Sequence, residues 1–211
     1  MLCNGYRMSG LREKQKADRD QRILKAATRL FREEGYDRTK IETIAAKAQV
    51  SIGTVYNYYQ NKGDLLVAIV SMEVNEVLRA GAALIERPPG GVAAAVTDLI
   101  FIYLDHSLVY LTKEMWRHAM AISTRQPDSP FGRRYSDLDD RLTRQVCAVI
   151  ERLQAEGRVK ADVDAAAAGE VIFNNTNMMF ILFVKSEMMT LEALKAAITR
   201  QLTPLLTALR A

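Results

Sequence analysis

Apolar residues recur at helical spacing along almost the whole chain. Over 19–34, Ile23, Leu24, Ala27, Leu30 and Phe31 fall on one face of a helix. Gly35 ends it, because glycine takes the left-handed closing turn without a Cβ penalty. Thr39 then opens a short helix whose apolar side is Ile41, Ile44, Ala45 and Ala48. Glu42 follows Thr39 by three residues, the spacing of a capping box in which hydroxyl and carboxylate each satisfy a free backbone amide. Ser51 is the expected N-cap of a third short helix reaching about Tyr59, and Asn61 precedes a long helix over 62–86. That helix runs into Arg87-Pro88-Pro89-Gly90-Gly91, the strongest breaker cluster present.

Helical stretches are also expected at about 92–111, 113–124, 130–156, 164–185 and 191–209, with breaks at Gln126-Pro127-Asp128, at Gly157 and around Ser186. No segment alternates with the period of two that a strand needs. The pattern predicts an all-α chain: an N-terminal three-helix segment, then a larger helical remainder. The functional boundary is expected inside the long helix starting near Lys62.

The informative stretch is TKIETIAAKAQVSIGTVYNYYQNKGDLL, residues 39–66. Two short helices flank a tight turn at Gln49-Val50. Val50 and Val55 are the apolar residues expected to lock them together, which leaves Ile52, Gly53, Thr54, Tyr56, Asn57 and Tyr58 outward on the second helix. This is the layout of a helix-turn-helix, whose second helix enters a major groove. A plain αα-hairpin shares the layout.

The particular residues resemble the N-terminal DNA-binding domain of the TetR (tetracycline-repressor-like) family of bacterial transcriptional regulators. The matching positions are Phe31, Gly35-Tyr36, Thr39, Ile44-Ala45, Val50-Ser51, Gly53-Thr54-Val55-Tyr56, Tyr58-Tyr59, Lys62 and Leu65-Leu66, over about residues 19–67. The resemblance implies an N-terminal arm and helix-turn-helix DNA-binding domain at 1–66. It implies a helical regulatory and dimerisation domain at 67–211, which holds a ligand pocket.

Roles follow from chemistry. Thr39, Tyr58, Lys62 and Ser51 are candidates for phosphate contacts, through hydroxyls, a point charge and helix N-termini. Thr54, Tyr56 and Asn57 are candidates for base edges, and Ile52 for a thymine methyl. Gly53 lets the backbone approach DNA without a Cβ in the way. Lys40 and Lys47 are either phosphate contacts or solvated side chains. Glu42 is assigned to the capping box rather than to a base, and Tyr59 to the core. The arm, with Arg12, Lys14, Lys16, Arg19 and Arg22, is expected to be partly disordered. It is either a solubilising tail or a segment that tracks the DNA backbone or a minor groove.

Charge agrees with this division. The first 65 residues hold 13 Lys/Arg against 8 Asp/Glu, and the remainder 16 against 17. A local basic excess suits a polyanion partner there and nowhere else. The two cysteines, Cys3 and Cys147, suggest neither a disulfide framework nor a metal spacing, and a reducing cytoplasm is expected. No apolar core of a signal peptide follows the N-terminal charges. The longest apolar run, Met178 to Val184, is far below the ~18 residues of a membrane span. Nucleophile-elbow, phosphate-loop and two-His zinc motifs are all missing, so neither an enzyme, a cofactor nor a metal is expected.

In the remainder, the stretch 164–185 is apolar nearly all round. One face carries Ile172, Phe173, Thr176, Met179, Phe180 and Phe183; another carries Val171, Asn174, Asn175, Met178 and Leu182. The last helix has a stripe of Leu191, Leu194, Ile198, Leu202, Leu205 and Leu209, with a kink expected at Pro204. These two helices are expected to pair with their two-fold mates in a homodimer. Asn174, Asn175 and Asn177 need partners across the dimer, in water or on a ligand. Phe101, Tyr103, Trp116, His118, Met120, Asn174 and Met178 are the expected pocket residues for a small, mostly apolar effector. The expected protein is a DNA-binding regulator, a repressor that leaves a palindromic operator when its effector binds.

Overall fold

The computed structural model describes residues 4–211, with side chains from Glu13 onward. Cys3 and the side chain of Arg12 lie outside the described residues. Nine helices are present among them, in two compact units: one ending at Ile69, the other Val70–Ala211.

The first unit contains α1 (Asn4–Glu34), α2 (Ile41–Ala48), α3 (Ile52–Tyr58) and the start of α4 (Lys62–Glu86). Its core is Ile23, Ala27, Leu30, Phe31, Ile44, Ala45, Val55, Leu65 and Leu66, all buried. Two expectations are corrected here. First, the arm is helical, because α1 begins at Asn4. Residues 11–22 contain no proline or glycine and consist largely of Arg, Lys, Glu, Gln and Ala, which favour helix. Second, the Thr39–Glu42 capping box does not form. Lys40 is the N-cap of α2 and makes no side-chain cap bond. Thr39 instead donates its hydroxyl to Gly35 O (2.8 Å), which removes it from capping. The capping pair lies at α4, where Asn61 Oδ1 accepts from Asp64 N–H (3.1 Å) and Asp64 Oδ2 accepts from Gln60 N–H (2.8 Å).

The second unit contains the rest of α4, then α5 (Val92–His106), α6 (Lys113–Arg125), α7 (Pro130–Ala155), α8 (Ala165–Lys185) and α9 (Leu191–Ala208). All its helix starts but that of α5 are capped by a side chain: Thr112, Ser129, Asp164 and Thr190 each accept from the amide three residues on. Helix α5 stops at His106, short of the expected 111. Beyond it Ser107 turns its hydroxyl to Leu104 O, and its carbonyl accepts from Trp116 Nε1 (2.7 Å). Helices α7 and α8 approach closely at Gly169, where a Cβ would stand 2.6 Å from Cys147 Cα. By length and composition α8 is apolar enough to cross a membrane (mean hydropathy 1.2). Its inner face is spent on the core, however, and Asn174 and Asn175 interrupt the rest. In α9, Leu194, Ile198, Leu202 and Leu206 are buried within this chain, as is Leu209 just beyond it, while Leu191 and Leu205 are half-buried. Most of the stripe expected to meet a second copy is thus core, because α5 and α8 already cover it.

Candidate nucleic-acid interface and effector cavity

One residue sets the turn between α2 and α3. Gln49 closes α2 in the left-handed region (φ 55°), its N–H on Ala46 O (3.1 Å), while Val50 N–H reaches Ala45 O (3.0 Å). Ser51 caps α3, with Oγ accepting from Thr54 N–H (3.0 Å) and 2.8 Å from Thr54 Oγ1. Val55 is buried against the core. The helical period therefore turns Ile52, Gly53, Tyr56 and Asn57 outward, and all four are exposed, as are Ser51 and Lys40. Thr54 and Tyr58 are half-buried. A Cβ added at Gly53 would meet only Ser51 Oγ, at 3.9 Å. Nothing in the fold requires a glycine there.

Around this face other residues hold position. Tyr58 Oη donates to Lys16 O (3.1 Å) and Tyr59 Oη to Asp20 Oδ1 (2.6 Å), tying α3 to α1. Burial, helped by Asp20, keeps the Tyr59 phenol well above its usual range. Lys62 Nζ donates to Tyr36 O (2.8 Å) and Asp37 O (3.0 Å) and lies 4.8 Å from the centre of the Tyr36 ring. With the buried Thr39 it clamps the 35–39 turn to α4. Arg22 donates to Ala48 O (3.2 Å), one of the free carbonyls at the end of α2.

The second unit holds a partly open cavity of about 70 Å³ lined by α4, α5, α6, α7 and α8. Valines of α4 and the rings of Tyr103, Trp116, Tyr135, Phe173 and Phe180 make it apolar; Glu73 and Asp139 are its two acids. A cleft of about 590 Å³ shares Tyr135, Asp139 and Asn177 with it and carries Arg117, Met120, Arg125 and Lys185. Glu73 is 2% exposed. Its Oε1 lies 2.8 Å from His106 Nδ1, and His106 Nε2 lies 3.1 Å from Glu76 Oε2. Burial pushes the Glu73 carboxyl up to about 7 against the pull of His106. Burial, with the Asp140 charge adding, also holds Asp139 at about 7. No group of three or more His, Cys, Asp or Glu residues among the described residues could hold a metal ion.

On α8, Val171, Met178 and Leu182 are 55%, 57% and 44% exposed and share one face with the exposed Asn174. Asn175 Nδ2 donates to Gln201 Oε1 (2.8 Å), but its Oδ1 is buried without a partner among the described residues.

Sequence comparison matches residues 23–69 to the family described as bacterial regulatory proteins, tetR family. Over 178 residues the chain is 25% identical to the fatty acid metabolism regulator protein of Bacillus subtilis, covering 82% of this chain and 88% of that one. A putative TetR-family transcriptional regulator from Mesorhizobium loti superposes with a TM-score of 0.72 at 22% identity, over 93% of this chain and 98% of the other. The transcriptional regulator FadR from Bacillus subtilis, in complex with stearoyl-CoA, superposes with a TM-score of 0.64 at 20% identity, over 86% and 96%. Residues 23–69 carry the sequence signature of that family. The chain has the fold of these TetR-family structures, a helix-turn-helix unit followed by a larger helical one.

The expected site residues separate into groups. Lys40, Ser51, Ile52, Gly53, Tyr56 and Asn57 are exposed and Thr54 is half-buried, whereas Thr39, Tyr58 and Lys62 are hydrogen-bonded into the fold. Of the expected pocket residues, only Tyr103 and Trp116 line the cavity, and Met120 lines the cleft. Phe101 lies under Lys195 of α9 instead (4.8 Å), and His118 stands 3.7 Å from Glu114 on its own helix. Asn174 and Met178 fall on the outer face of α8, since the helical period turns Phe173, Thr176, Asn177 and Phe180 inward. Glu73 and Asp139 went unnoticed in the sequence. The signal was available: each acid sits on an apolar stripe, Val70-Glu73-Val74-Val77 and Tyr135-Leu138-Asp139-Leu142, where a solvated carboxylate has no place.

Proposed function

We propose that this protein is a TetR-family transcriptional regulator, a homodimeric repressor. Each copy lays α3 in a major groove of a palindromic operator, and a small, mostly apolar effector in the α4–α8 cavity releases the DNA. It works by binding rather than by catalysis, in the cytoplasm.

The observation that carries the DNA reading is Gly53. A glycine inside a helix costs about 0.5–1 kcal/mol relative to alanine, and no close packing around Gly53 accounts for it. A phosphate backbone pressed against the start of α3 does. Ile52, Tyr56 and Asn57 then face base edges, with Thr54 at the margin, while Lys40 and Ser51 meet phosphates. Thr39, Tyr58 and Lys62 act at the rim. Lys62 keeps a third N–H for a phosphate, whereas Thr39 and Tyr58 would have to turn their hydroxyls away from Gly35 O and Lys16 O to donate to one.

The exposed α8 stripe and the unpaired Asn175 Oδ1 support dimerisation through α8, with the outer face of α9 alongside. The effector reading rests on the apolar cavity, on the likeness to a fatty acid metabolism regulator protein, and on the fold shared with a regulator in complex with stearoyl-CoA. Helix α4 supplies Lys62 to the first unit and Val70, Glu73, Val74 and Val77 to the cavity wall. A ligand that fits the cavity differently in two states of α4 shifts the balance between them.

Fluorescence anisotropy with operator DNA tests the central step. Gly53→Ala is expected to weaken binding about tenfold or more, a loss of ~1.4 kcal/mol. Unchanged affinity for this variant would contradict the placement of α3.

A further inference from the structure

We infer that the cavity recognises an organic cation, an ammonium group on an apolar body, with Glu73 and Asp139 as its counter-charges. This rests on the reading of the cavity as the effector site.

A buried carboxylate is tolerated when fully paired, and Glu73 lacks a full complement of partners. Glu73 Oε1 faces His106, but that imidazole is shared with Glu76, 3.1 Å from its other nitrogen. Glu73 Oε2 is buried and has no hydrogen-bond partner among the described residues. Asp139 is half-buried and lines both the cavity and the cleft, with the like charge of Asp140 beside it. Neither lysine nor arginine is among the lining residues. The cavity therefore holds two acids and lacks a cation of its own.

The rings complete the argument. Trp116 Nε1 is committed to Ser107 O (2.7 Å), and Tyr103 Oη donates to Gln145 Oε1 (2.7 Å). Their polar tips are engaged by the protein, which leaves ring surface for the cavity. Phe180 meets Trp116 edge to face at 5.2 Å, and Tyr135 and Phe173 add two more rings. Aromatic faces attract a desolvated cation through the ring quadrupole. At about 70 Å³ the space suits a compact head group, with the rest of the ligand in the adjoining cleft. A plain acyl chain would bury both carboxyls without compensating either.

Trp116 is the only tryptophan, so its fluorescence in the full-length protein reports occupancy. The probes are benzyltrimethylammonium, its uncharged carbon isostere neopentylbenzene, and octanoyl-CoA. The cation is expected to bind about tenfold tighter than the isostere. Glu73→Gln and Asp139→Asn should each erase most of that preference, with helical circular dichroism unchanged. Equal binding of cation and isostere overturns the proposal. So does binding of octanoyl-CoA that both variants leave intact, although the cavity then remains an effector site. If none of the three probes alters Trp116 emission, the effector reading itself fails along with it.

Discussion

At Gly53 the needs of the fold and the proposed needs of DNA binding pull in opposite directions. Alanine has room there, since a Cβ would be 3.9 Å from its nearest neighbour. Gly53→Ala is therefore expected to stabilise the free protein by about 0.5–1 kcal/mol, read as a Tm rise of roughly 2–4 °C, while it weakens DNA binding. A thermal melt and a binding titration on the same preparation check both signs. The two cavity acids make a second prediction. Both carboxyls stand near 7 in the folded protein, above the ordinary carboxyl range. Below that range both states are protonated and no penalty arises. As pH rises to about 7 the unfolded chain ionises first, so stability falls across this window and levels off above it. Glu73→Gln removes its share, on the order of 3 kcal/mol, and should raise the urea midpoint at pH 8 but hardly at pH 4. Equal gains at both pH values would show that ionisation is not the cause. These residues also show what sequence conveys. Ser51, Gly35 and Gly157 act through local backbone geometry and were legible. Glu73 and Asp139 matter because α4 and α7 meet around one cavity, which no local pattern states.

Most helix boundaries were readable for the same local reason, the start of α1 and the end of α5 excepted, and the faces of the helices much less so. Both α8 and α9 carry leucine-rich stripes, and period alone cannot say which stripe meets the chain's own core. The answer depends on packing: α9 turns Leu194 and Ile198 inward, whereas α8 leaves Val171, Met178 and Leu182 outside. Substitutions on the two stripes should therefore differ in kind. Met178→Glu places a charge on the exposed stripe and is expected to yield a folded monomer by light scattering. Leu194→Asp buries a carboxylate in the core and is expected to cost about 3 kcal/mol or more, seen as lost helicity on heating. A Met178→Glu protein that stays dimeric would move the interface away from α8.

For the whole molecule, the all-α architecture was visible along the chain, and the helix-turn-helix and the family resemblance in the residues between Phe31 and Leu66. The larger unit was visible only as helices, because its function depends on which faces line a cavity and which await a partner. The account joins a DNA-reading α3, a second copy across α8 and an effector cavity bordered by α4. The most direct test is to select bound fragments from sheared genomic DNA with the purified chain and sequence them. The account predicts enrichment of one inverted repeat, with half-sites about one helical turn or a multiple apart, and its loss with Tyr56→Ala. Fragments without a shared sequence, or a single unrepeated motif bound equally by Tyr56→Ala, would contradict it.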